Sequence, residues 1–87
     1  MPDAIEIIFQ SALQLGRRGG VDEMMGKAAI AMSRYMKAVS MLRFLLIEAP
    51  LLALNPPLTL MRSDRHRLRT YIEALSTRLG QLQCQRH

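Results

Sequence analysis

From Met25 to Leu46 apolar side chains return at alternating steps of three and four: Met25, Ala28, Met32, Tyr35, Val39, Leu42 and Leu46. That is the repeat of an α-helix rather than a strand, and a second row at Met24, Ala31, Ala38 and Leu45 lies beside it. Together the rows cover roughly half the circumference at about 100° per residue. A helix with so wide an apolar arc has to pack against two neighbours, and its alanines permit close approach. The chain therefore reads as all-α, an antiparallel three-helix bundle with helices at approximately 3–19, 22–49 and 61–84.

The flanking segments supply the neighbours. In the first, Asp3 as N-cap and Glu6 three residues on form a capping box. Ile5, Ile8, Phe9, Ala12 and Leu15 then recur at helical spacing, and Gly19-Gly20 reads as the left-handed stop. Asp22 and Glu23 suit the positive start of the second helix, and Pro50 its end. In the third, Ser63 or Thr59 is the cap, and Leu68, Tyr71, Ile72, Leu75, Leu79 and Leu82 form the stripe. Arg62, Arg65, Arg67, Arg69 and Arg78 fall mostly off that stripe, so an arginine-rich helix is compatible with packing. Between the second and third helices lies a proline-rich apolar connection, with leucines at Leu51, Leu52, Leu54, Leu58 and Leu60. They either cover the end of this bundle or meet a second domain.

At 87 residues the chain is one domain, and a chain of that size buries only about 60–65% of its unfolded surface. We expect it to be excised from a larger protein. With no tryptophan and seven methionines, aliphatic and thioether side chains have to fill the core. The run from Phe44 to Leu54 is too short to span a bilayer and includes Glu48 and Pro50. A single cysteine, Cys84, precludes an internal disulfide, and the composition reads as cytoplasmic.

No catalytic chemistry is evident. His66 and His87 are far apart in sequence and lack metal-ligand partners. Asp64 and Glu73 are not placed as an acid–base pair, and the Gly-Arg-Arg-Gly-Gly stretch at 16–20 lacks the phosphate-loop pattern. The chain is read as a non-enzyme without cofactor or metal. The net charge of +5, with ten arginines among the twelve basic residues, suits acidic peptide, phosphate or anionic lipid. Nucleic-acid binding is the weaker reading, because few aromatics are available for base stacking and no helix-turn-helix spacing appears.

Within this frame, Tyr35 with Ala38 in the second helix, and Arg67 or Arg69 with Tyr71 and Ile72 in the third, resemble the motifs of the MIT (microtubule-interacting and transport) domain. The stretch before Tyr35 and the apolar connection are longer than in that family, and Leu75 stands where a smaller residue is usual. The chain is most similar in style to the divergent, tandem MIT modules at the C-terminal end of autophagy-initiating protein kinases, which hold a regulatory subunit. Other members serve the ESCRT pathway.

The resemblance implies a non-catalytic adaptor that takes a short, leucine-containing acidic peptide into a groove between helices. It also implies recruitment to endosomal or autophagic membranes through partners. A groove between the second and third helices would be lined by Met36, Val39 and Ile72, with Arg65 and Arg69 at its rim. The alternatives are a basic nucleic-acid-binding module and a homodimer through the off-stripe residues Ile30, Met41 and Phe44.

Overall fold

The structure is a computed structural model that describes residues 4–53 and 59–84. Three helices account for most of it: α1 (Ala4–Met24), α2 (Ala28–Arg43) and α3 (Arg62–Cys84). No strand occurs among the described residues. Consecutive helices run antiparallel, which leaves α1 and α3 parallel, and the all-α three-helix bundle is the observed fold class.

The first boundary differs from expectation for a physical reason. Gly19-Gly20 does not stop α1, which continues to Met24. Gly19 is buried, and a Cβ built on it would stand 2.6 Å from Tyr35 Cε1. The glycine is therefore a seat for the Tyr35 ring. The left-handed stop is Gly26, at φ 75°. Lys27 N–H donates to Asp22 C=O at 2.7 Å and Gly26 N–H to Glu23 C=O at 3.0 Å, the paired bonds of a Schellman ending. Asp22 and Glu23 thus belong to the last turn of α1 and not to the start of α2.

Helix α2 changes gauge rather than ending before Pro50. A wide π turn covers Phe44–Glu48, with Ala49 N–H donating to Phe44 C=O, and a tight 3₁₀ turn follows at Ala49–Leu51. Pro50 has no N–H to give and its ring crowds the carbonyl four residues back. A widened turn just upstream is one way a helix accommodates this. Helix α3 begins near its expected position, but the N-cap residue is Met61, whose N–H donates to the carboxylate of Asp64 three residues on at 3.1 Å. Neither Ser63 nor Thr59 makes that bond, and the expected cap Asp3 lies outside the described residues.

Two apolar clusters hold the bundle. Phe9, Ala12, Leu42, Leu45, Ala49 and Leu68 form the larger, with Leu60 and Ile72 packed against it. Ala31, Met32, Tyr35 and Leu82 form the smaller, and Leu75 touches both. Leu42 and Leu45 are fully buried, each worth about 1.5–3 kcal/mol in transfer free energy. The connecting segment is divided. Leu60 joins the core, whereas Leu51 and Leu52 are exposed, and Leu54 and Leu58 lie outside the described residues.

Candidate functional site

Helix α2 is wedged against both partners, while the backbones of α1 and α3 scarcely approach each other. Side chains bridge that gap at two levels and leave a groove between them. At the upper level the Phe9 and Tyr71 rings meet edge to face, with centroids 5.7 Å apart. The Arg67 guanidinium lies 4.6 Å over the Phe9 ring, a cation–π arrangement. Both come from the helical repeat, since Arg67 and Tyr71 are one turn apart on α3.

At the lower level, Glu23 closes the gap. Its two carboxylate oxygens share the single Arg78 Nε–H, at 2.9 and 2.8 Å, and Oε2 also accepts from Arg78 Nη2. Tyr35 Oη donates to the same carboxylate at 2.6 Å, so one side chain ties α1 to both other helices. Arg78 holds the Glu23 carboxyl below its ordinary pKa, against the opposing effect of burial, and Tyr35 adds to the lowering. Burial, and then the hydrogen bond to Glu23, pushes the Tyr35 hydroxyl up to about 12. Beside this clasp, buried Asp22 has Arg34 Nη1 3.2 Å from Oδ2. The guanidinium N–H is not aimed at that oxygen, which has a charge partner but no hydrogen bond.

Between the levels lies an apolar groove of about 250 Å³, lined by Ala12, Leu13, Gly16, Arg17, Tyr71 and Leu75. Its floor is open because position 16 carries no side chain. A Cβ there would sit 3.6 Å from Leu75 Cδ2, an ordinary contact, so anything longer would project into the groove. Above it, Ile5, Glu6, Phe9, Leu60, Asp64, Arg67 and Leu68 surround a recess of about 20 Å³. The upper recess sets Arg67 beside Glu6 and Asp64. Among the described residues, Arg17 is the one charged side chain lining the apolar groove below, a pattern suited to a leucine-bearing chain with an acidic group near Arg17. Among the described residues no His, Cys, Asp and Glu cluster could hold a metal, and no helix is long and apolar enough to cross a membrane.

The five residues expected around an α2–α3 groove are not gathered around one groove. Met36 is 56% exposed and lines the α1–α2 side with Leu15. Val39 is in the core, and Ile72 is half-buried against the larger cluster. Arg65 and Arg69 are exposed on α3. The three residues considered for self-association are also divided: Ile30 is exposed, Phe44 is half-buried against the core, and Met41 is half-buried between the core and the α1–α2 groove. Sequence reasoning placed Arg67 and Tyr71 in the third-helix motif but missed Leu13, Gly16 and Arg17. The available signal was the pairing of small residues Ala12 and Gly16, one turn apart on α1.

The described residues define an all-α bundle with an apolar groove between its first and third helices, and comparison with known proteins gives the chain relatives. The chain is 59% identical over 86 residues to the serine/threonine-protein kinase ATG1c of Arabidopsis thaliana. It is 60% identical over 86 residues to ATG1b and 39% identical over 82 residues to ATG1a of the same plant. The matches cover 94–99% of this chain but only 12–13% of each kinase. They lie in the C-terminal, non-kinase region, so the chain is homologous to that part of the autophagy kinases. No family model and no solved structure matches it.

Proposed function

We propose that this chain is a divergent MIT-type adaptor module of an ATG1-like kinase, and that it recruits a protein partner in autophagy. The partner presents a short amphipathic motif with leucines and acidic residues. Its seat is the α1–α3 groove, where the leucines enter between Leu13, Tyr71 and Leu75 and an acidic group meets Arg17. The observation that supports this reading is the open apolar groove between two parallel helices with Arg17 at its margin. Ile72, Arg65 and Arg69 occupy α3 beside that slot. Together with Met36 and Val39 they constitute the α2–α3 alternative, for which α2 and α3 would have to part. Targeting to autophagic membranes would follow from the partner, as would any role in endosomal trafficking.

The test is fluorescence anisotropy with a labelled acidic, leucine-containing peptide, at low and moderate salt, on the unaltered chain and on Gly16→Met. Methionine at position 16 fills the groove without breaking α1. At least a tenfold loss of affinity in this variant, with unchanged helicity, is the expected result. Undiminished binding by Gly16→Met with loss in Ile72→Asp would move the site to the α2–α3 side. A random oligonucleotide binding more tightly than the peptide, with a steep salt slope, would replace the adaptor reading with phosphate recognition by Arg62, Arg65, Arg67 and Arg69.

A further inference from the structure

A larger groove than the one between α1 and α3 is present on the described surface. It lies on the other flank of α1, against α2, and measures about 710 Å³. Leu15, Met32, Met36 and Met41 supply its apolar lining, and Ala29, Ser33 and Ser40 leave room for a close approach. From Ala29 to Met41 it extends along α2 for about 18 Å, the length of a helix of three to four turns. Lys37 is the one charged residue in the lining, Arg18 stands at the adjoining recess, and no acidic side chain lines either.

We infer that this methionine-lined groove is a second docking site, for an amphipathic partner helix with leucine or isoleucine on one face and a carboxylate on its flank. Three points favour that occupant. Methionine is flexible and polarisable and conforms to irregular apolar partners. The groove is the right length for a helix and is bordered by the positive charges of Lys37 and Arg18, which a carboxylate complements. A second copy of this chain is the poorer fit, since each carries a net charge of +5 and the two repel. Occupying both flanks of α1 would make the module bivalent, so two motifs joined by a linker would bind more tightly than either alone. The inference does not depend on the α1–α3 reading, because the two grooves share no lining residue.

The methionines report on the site directly. The chain, labelled at its methionine methyl groups, is titrated with a synthetic helical peptide of about eighteen residues, with leucine on one face and glutamate on one flank. Gly16→Met is used in parallel to occupy the other groove. We expect the methyl signals of Met32, Met36 and Met41 to shift in both proteins. Lys37→Glu should weaken the interaction by about fivefold, and a lysine-for-glutamate version of the peptide should recover it. Three results would overturn the inference: no movement of these methyls up to millimolar peptide, movement that Gly16→Met abolishes, or shifts on dilution without peptide, which would assign the groove to a second copy.

Discussion

Helix α1 meets its two neighbours by opposite means. Toward α2 it offers small residues, and the backbones close in: Gly19 admits the Tyr35 ring, and Ala12 is fully buried near Leu42 and Leu45. Toward α3 it offers long reach instead. Phe9 touches Tyr71, and Glu23 grips Arg78 across a gap that neither backbone fills. Close packing makes a rigid pair, whereas props at two heights keep a slot open. The same helix thus provides both the scaffold and one wall of the proposed binding site.

The severest way to break the comparison is to remove the ring that sits on Gly19. Tyr35→Ala empties the smaller cluster and deletes a hydrogen bond to Glu23, and should cost about 3–5 kcal/mol in urea unfolding. A smaller, more diagnostic contrast comes from the two glycines. Alanine gains about 1 kcal/mol over glycine in a helix interior. At Gly19 overpacking against the ring costs about 1–3 kcal/mol and should outweigh that gain. At Gly16, where the added Cβ meets Leu75 at 3.6 Å, the gain should survive. Gly19→Ala should therefore lower the urea midpoint and Gly16→Ala raise it. Equal signs would mean that α1 does not pack as described.

The clasp sharpens the comparison through pH. Because the Tyr35 pKa is raised in the folded chain to about 12, stability linked to it is complete below the unfolded value near 10. It is lost as pH rises through the folded value, since unfolding then releases a proton. Thermal unfolding should show a decline between about pH 10 and 12 that is reduced in Tyr35→Phe. Arg78→Gln should have the smallest effect. Arg78 is largely solvent-exposed, so a slight fall in midpoint that shrinks with added salt is expected.

Much of this fold was legible from spacing alone. The α2 register from Ala28 to Leu46 and the stripe of α3 apart from the exposed Tyr71 correspond to buried or half-buried positions, because core burial is what produces such periodicity. Met24 and Met25, read as part of the α2 rows, are instead exposed where α1 ends. The first turn was misread, since Gly19-Gly20 carries the same letters whether it ends a helix or makes space for a ring. Its distinction lies in Tyr35, sixteen positions away. Asp22 and Glu23 misled in the same manner. They suit a helix start by charge, yet here they end one, compensated by Arg34 and Arg78 from other helices. The candidate site was legible only in its α3 half. A groove is defined by what two helices fail to fill, and that depends on their separation, which no single-helix pattern records.

The place where a ligand lands on the bundle is the most direct test. Backbone amide spectra of the chain should be recorded during titration with an acidic, leucine-containing peptide, for the unaltered protein and Gly16→Met. Shifts centred on Leu13, Gly16, Arg17, Tyr71 and Leu75, absent in the variant, are the predicted result. Shifts that persist unchanged in Gly16→Met, or that centre on Val39, Arg65, Arg69 and Ile72, would contradict it.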